Sequence, residues 1–152
     1  MPVLQTTYSD TVAAGYPGMV ANGETSNRIT RTCEVSGGIA FGAAAFRGSG
    51  DHGCTNVVGT AATFLGPVIA TSAQAIVAGG DADEYAQYDN VNIMTQGAIW
   101  VLCGDAVTDG APVYVDAATG EWTDTSTDNI AATDWIFDTT GAADTLVKIV
   151  KR

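Results

Sequence analysis

Short apolar runs broken by Gly and Asp fill this chain of 152 residues, and no stretch of ten or more residues repeats apolar side chains at helical spacing. Such runs, rich in Val, Ile, Thr and aromatic residues, are typical of β-strands. The predicted strands are Arg28–Val35, Ile39–Arg47, Asn56–Thr63, Val68–Thr71, Val91–Met94, Ala98–Leu102, Pro112–Val115, Glu121–Thr123, Trp135–Phe137 and Thr145–Lys151. About ten short strands predict an all-β fold, a compact β-barrel or β-sandwich.

A turn signal supports this pattern. The stretch Asp116–Gly120 separates the strand-like Val113–Val115 from Glu121–Thr123. A polar run of this length that ends in Gly predicts a five-residue hairpin loop.

The charge of the chain is strongly negative and unevenly placed. Seventeen acidic residues outnumber six Lys and Arg, which gives a net charge of −11. No Lys or Arg lies between Ser49 and Val147, whereas 14 acidic residues do. A surface of this sign repels phosphate, and no apolar run approaches the ~20 residues that span a bilayer. We therefore expect neither nucleic acid nor a membrane among the partners.

The sequence motifs for chemistry are incomplete. Gly48–Gly53 has the pattern G-x-G-x-x-G, but strand-like residues follow it instead of a helix. It therefore predicts a loop between strands and not a phosphate-binding turn. The single histidine, His52, lies inside this glycine-rich loop, a poor setting for a fixed catalytic base. We expect no enzymatic activity, no cofactor and no bound metal.

Three cysteines, Cys33, Cys54 and Cys103, are odd in number and widely spaced. They lack the close pairs of a zinc site, and a chain of this size needs no disulfide. We interpret all three as small buried apolar residues.

The first 25 residues differ from the rest. Thr, Ser, Gly and Ala are mixed there with isolated Tyr8, Tyr16, Pro17 and Met19, without strand alternation. Two interpretations stay open: a loop that wraps its own domain, or an extended arm whose aromatic side chains dock on a neighbouring subunit. We divide the chain into an N-terminal arm, residues 1–25, and a single-domain body, residues 26–152.

The order of several segments resembles the capsid cement, or decoration, proteins of tailed bacteriophages. The matching segments are Ala14–Ala21, Asn27–Glu34, Gly37–Ala43, Tyr88–Val101, Gly104–Asp116 with Thr119 and Gly120, Trp135, and Leu146–Val150. The resemblance therefore covers nearly the whole chain. The segment Gly66–Val68 and the loop Gly48–Gly53 depart from the family pattern.

The resemblance implies a structural role. Such proteins sit on the outer surface of the virion capsid, bind the major capsid protein and clamp the expanded head. They are often homotrimers with an N-terminal arm that reaches a neighbour. On this basis we expect Tyr8, Tyr16, Pro17 and Met19 to anchor the arm. Arg28 and Arg31 are expected to make polar contacts with the capsid, with the acidic body toward solvent.

Two alternatives belong to other classes. One is a carbohydrate- or receptor-binding module on a virion or cell surface, in which Trp100, Trp122 and Trp135 form a stacking platform. In that interpretation Trp122 is the most exposed of the three, and Trp100 belongs to the core. The other alternative is a small hydrolase that uses His52.

Overall fold

The computed structural model describes residues 15–71 and 83–152. The strands are β1 (Asn27–Cys33), β2 (Ile39–Ala40), β3 (Ala44–Arg47), β4 (Gly53–Thr55), β5 (Phe64–Pro67), β6 (Glu84–Tyr85), β7 (Asn90–Leu102), β8 (Pro112–Val115), β9 (Trp122–Thr123), β10 (Ile130–Phe137) and β11 (Leu146–Lys151). The described residues contain no helix, and so none that is long and apolar enough to cross a membrane. The all-β prediction is confirmed.

The 13-residue strand β7 organises the fold, because it has neighbours on both edges along its length. Nine strands form one sheet in the order β5-β3-β4-β1-β7-β11-β10-β8-β9, and β2 pairs with β6 in a second, small sheet. The first half of β7 pairs with β1 up to Gln96, and the second half pairs with β11 from Gly97 onward. The change of partner therefore falls at Gly97, whose φ of 129° lies in a region that favours glycine.

Each half of β7 belongs to a closed ring of strands. On one side, β7, β1, β4, β3 and β5 pair in turn, and a bridge between Val68 and Ile93 returns the ring to β7. On the other side, β7, β11, β10, β8 and β9 pair in turn, and a bridge between Cys103 and Trp122 closes that ring. The molecule is thus built as two small rings that share one strand. Closure removes most of the exposed strand edges that favour aggregation.

Two clusters of buried side chains fill the interior. The cluster on the β8–β11 side contains Trp122, Val113, Val115, Trp135, Phe137, Val147 and Ile149, together with Phe46 and Met94. The cluster on the β1–β4 side contains Ile39, Phe41, Val68, Tyr85, Val91 and Ile93, together with Cys33 and Cys54. Val91 and Ile93 of β7 lie in one cluster and Met94 in the other, which fits side chains that alternate across a strand.

Several strand predictions differ from the structure. Residues 56–63, predicted as a strand, form a bend, an irregular stretch and a turn, and the Thr63 hydroxyl fixes the turn by accepting from Thr60 N–H (2.8 Å) and donating to its carbonyl (2.9 Å). The predicted Ile39–Arg47 strand is split into β2 and β3 at Gly42, which has a φ of 77°. The two strands predicted before and after Gly97 are one continuous strand.

The predicted hairpin loop Asp116–Gly120 is present between β8 and β9. Asp116 N–H donates to the Glu121 carbonyl (2.8 Å), and Gly120 has a φ of 79°. The Asp116 carboxylate accepts from Ala118 and Thr119 N–H, both at 2.8 Å, and these bonds lower its pKa. A carboxylate therefore closes the turn from within.

The prediction that the cysteines are small buried residues is confirmed. All three are free, and each is at most 1% exposed. Cys33 of β1 and Cys54 of β4 are neighbours in a parallel pair of strands. Burial raises the pKa of both thiols, that of Cys54 to about 12. These side chains therefore pack as small apolar groups.

Candidate functional site

Residues 15–21, which we call the strap, lie along the second half of β7. Gly18 N–H donates to the Trp100 carbonyl (2.8 Å), and Trp100 N–H donates to the Met19 carbonyl (2.9 Å). Ala21 N–H continues the pairing to the Ala98 carbonyl (2.9 Å). Residues 15–21 therefore pack along their own body. Residues 1–14, including the predicted anchor Tyr8, lie outside the described residues.

Two glycines let the strap approach the body backbone to backbone. Gly18 and Gly42 have φ values of 81° and 77°. A Cβ on Gly18 would lie 2.9 Å from Gly42 N, and a Cβ on Gly42 would lie 2.8 Å from Gly18 N. The Gly42 carbonyl in turn accepts the indole N–H of Trp122 at 2.7 Å. This joins the strap, the turn between β2 and β3, and β9 at one point.

A pocket of about 600 Å³ lies where these elements meet, and we call it the strap pocket. Its lining residues are Tyr16, Pro17, Ala40, Phe41, Gly42, Ala43, Asp83, Leu102, Thr119, Gly120, Glu121 and Trp122. Tyr16 is 54% exposed and Leu102 is 47% exposed, so apolar surface is open to solvent here. The volume falls in the range of about 300–1,000 Å³ that is typical of binding pockets.

The structure brings only some of the predicted anchors together. Tyr16 and Pro17 both line the strap pocket. Met19 is 36% exposed and lies with Trp100 beside Gly15. Phe41, Leu102 and Trp122 also line the pocket, and the sequence did not predict them as part of this site. The sequence signal near them is Gly42, whose left-handed conformation turns the chain beside Phe41.

Arg28 and Arg31 lie apart from the strap pocket, on β1. Arg28 Nε donates to Ser26 Oγ at 3.3 Å, and Arg31 Nη1 donates to the Thr30 carbonyl at 3.0 Å. Neither forms an ion pair with any residue in the described ranges. Because side chains alternate along a strand, these two arginines point to opposite faces of β1.

The three bases at the C-terminus are already paired. Lys148 contacts Asp138 (2.6 Å), Lys151 contacts Asp134 (3.5 Å), and Arg152 contacts Glu24 (3.0 Å). The pKa of Glu24 is lowered chiefly by its hydrogen bond with Arg152. Arg28 and Arg31 therefore keep positive charge available for a partner, whereas the C-terminal bases are partly neutralised.

The glycine-rich loop between β3 and β4 holds an internal carboxylate. Glu34 accepts from Ser49 N–H (2.7 Å), Ser49 Oγ–H (2.9 Å) and Gly50 N–H (2.8 Å). These bonds lower the pKa of Glu34, the bond from the Ser49 backbone most of all. The N–H groups that a phosphate would need are thus occupied by the chain itself. A Cβ on Gly53 would overlap the same carboxylate.

Across residues 15–71 and 83–152, no group of three His, Cys, Asp or Glu side chains is placed to hold a metal ion. The exposed imidazole of His52 makes no hydrogen bond with a described residue.

The carbohydrate-binding alternative predicted a platform of three tryptophans, and this prediction is wrong. Trp122 and Trp135 are each only 2% exposed, and Trp122 points its N–H at a backbone carbonyl in the interior. Trp100, expected in the core, is instead half-buried beside the strap. Three indole faces are therefore not presented together to a sugar.

The chain matches one protein family, and the solved structures of similar fold include two from phages. The family described as structural cement protein (E217 gp24/Pam3 gp6) matches residues 4–151. The fold is similar to a chain in the capsid of Myoviridae phage XM1, with a TM-score of 0.72 and 16% identity over 97% of this chain and 96% of that one. The head fibre gp8.5 N base of bacteriophage phi29 gives a TM-score of 0.49 and 11% identity, over 84% of this chain and 95% of that one. No curated protein matches the chain.

Proposed function

This chain belongs to the phage family of structural cement proteins, and from that membership we propose that it binds the outer surface of the major capsid lattice and stabilises the expanded head. Its role is that of a capsid decoration protein. The observation that carries this conclusion is the family match over residues 4–151, nearly the full chain. The two-ring fold suits the role, because its closed sheets leave surface turns and the exposed side chains of the strap for contacts.

The proposal assigns no catalysis to the chain. It is supported by the structural family and by the exposed position of His52 in the loop between β3 and β4. A clamp needs complementary surface and many copies on one lattice, and modest contacts per copy then suffice.

We propose that residues 1–25 act as the arm and residues 26–152 as the body. The pairing of the strap with β7 supports this division by fixing the root of the arm on the body. The exposed apolar side chains of Tyr16 and Met19 stand at that root. In this proposal Tyr8, Tyr16, Pro17 and Met19 contact a neighbouring subunit.

We propose that Arg28 and Arg31, on β1, make polar contacts with the capsid apart from the contact made by the arm. Their lack of an ion pair with any described residue supports this assignment, since the chain carries a net charge of −11 and few free bases. The acidic side chains of the body that lie outside the strap pocket then face solvent. We also propose that the protein forms a homotrimer, because proteins of the family that it resembles are often homotrimers.

The test is binding to sealed, expanded heads that lack the protein. We expect purified protein, added from outside, to co-sediment with the heads and to saturate at a fixed copy number. Tyr8→Ala and Tyr16→Ala should each lower occupancy without lowering the melting temperature. Tyr88→Ala is the matched control, because Tyr88 is 76% exposed and does not line the strap pocket. Failure of wild-type protein to bind sealed heads would contradict the outer-surface assignment.

A further inference from the structure

The strap pocket combines a fixed apolar wall with negative charge that forms no ion pair with a described residue. Trp122 is held by its hydrogen bond to Gly42, and Phe41 packs edge-on against Tyr85 with ring centroids 5.3 Å apart. Both rings are nearly buried, so the wall is set before any partner arrives. Preformed pockets lose less free energy to ordering when a partner binds.

Two exposed carboxylates belong to the lining, those of Asp83 and Glu121. Neither carboxylate makes a hydrogen bond or ion pair with a described residue. Asp83 is held by backbone geometry, with a φ of 64° and its carbonyl accepting Phe41 N–H at 2.9 Å. The described lining contains no Lys or Arg. The pocket therefore offers apolar contact and negative charge side by side.

We propose that the strap pocket receives an extended, basic segment of the major capsid protein, and this inference rests on the proposed function. One aliphatic or aromatic side chain of that segment enters between Tyr16, Leu102 and Trp122. A Lys or Arg beside it meets Asp83 and Glu121. Charge complementarity selects this occupant, because an acidic segment or a nucleic acid would bring negative charge against both carboxylates.

The charge is tested with the full-length double variant Asp83→Asn/Glu121→Gln. Asn is suitable at position 83, because it tolerates the left-handed conformation found there. Asp128→Asn/Asp144→Asn is the matched control: it changes the net charge equally, both sites are exposed with positive φ, and neither lines the pocket. The probe is the expanded, decoration-free capsid shell, titrated at low and high salt.

We expect the pocket variant to bind shells about threefold to tenfold more weakly than wild type at low salt, the effect of losing two partly exposed ion pairs. Its affinity should also depend less on salt, while the control variant stays close to wild type. The apolar half is tested with Ala40→Trp, since Ala40 is exposed and lines the pocket. That substitution should block entry and lower occupancy while the melting temperature is retained.

Different failures are distinguishable. If wild-type protein does not bind shells, the proposed function and this inference both fail. If wild type binds and the pocket variant matches the control variant in affinity and salt dependence, the inference is overturned while the function stands. If the pocket variants instead dissociate an assembly of this chain and bind shells normally, the occupant is a second copy and the inference is again overturned.

Discussion

The Glu34 carboxylate fixes the loop between β3 and β4. It accepts hydrogen bonds from the N–H groups of Ser49 and Gly50, to which an external anion would otherwise bind. Gly53 leaves room for this carboxylate, because a Cβ there would overlap it in its present position. The G-x-G-x-x-G motif of Gly48–Gly53 is thus a loop whose N–H groups are bonded to a carboxylate of the same chain.

We predict that Glu34→Gln lowers the melting temperature at pH 7 by a few degrees, because an amide presents N–H against N–H donors. The folded-state pKa of Glu34 lies below its ordinary value of 4.5. Its stabilising contribution is therefore fully present above pH 4.5 and is lost as the pH falls through the lower folded-state pKa. Thermal unfolding of both proteins across this range should show their difference shrinking toward acid.

Asp51→Asn is the control for that experiment. Asp51 lies in the same loop but makes no side-chain hydrogen bond with a described residue. Its substitution should leave the melting temperature unchanged at every pH. A Glu34→Gln protein as stable as wild type at pH 7 would contradict the role given to this carboxylate.

At the scale of elements, β7 belongs to both rings, and β5 packs against it so closely that there is no space for a side chain at Gly66. Gly66 of β5 faces the backbone of β7 with a φ of 145°, and a Cβ there would overlap the Met94 carbonyl. The ring of β7, β1, β4, β3 and β5 closes two residues after Gly66, where Val68 bridges to Ile93.

We predict that Gly66→Ala destabilises the protein by about 3 kcal/mol, through backbone strain and overpacking against β7. Chemical denaturation measures this directly. Gly23→Ala serves as the control, because nothing lies within 4 Å of a Cβ there, and it should change stability by no more than about 0.5 kcal/mol. Equal stability of the two variants would mean that β5 does not close against β7.

The elements show what local pattern can and cannot predict. Strands β8 and β11 follow from alternation and turn residues, which are local signals. Residues 56–63 do not follow from such local signals. Val57 and Val58 look strand-like, but the hydrogen bonds between Thr60 and Thr63 close a turn just after them. The closure of two rings around β7 depends on bridges between residues far apart in sequence, so no local pattern predicts it.

The same division holds for the candidate site. Tyr16 and Pro17 were predictable as apolar residues in a segment without strand alternation. The wall formed by Phe41 and Trp122 was not, since it requires Gly18 and Gly42 to touch across the fold. Trp122 in particular looks like a surface residue of a short hairpin and becomes buried only when β9 meets the end of β7.

At the scale of the whole molecule, the charges divide into those that are paired and those left for a partner. The bases near the C-terminus contact acids of the same chain, whereas Arg28, Arg31 and Arg47 have no ion pair among the described residues. The net charge of −11 of the chain disfavours contact with other polyanions such as packaged nucleic acid. A clamp on the outside of a capsid is consistent with this arrangement.

The stability of expanded shells tests the central claim most directly. Decoration-free shells are heated with and without saturating protein, and their disruption is followed by light scattering or calorimetry. The account predicts that the disruption temperature rises with occupancy and levels off when the sites are full. Saturable binding that leaves the disruption temperature unchanged would contradict the claim that this protein stabilises the head.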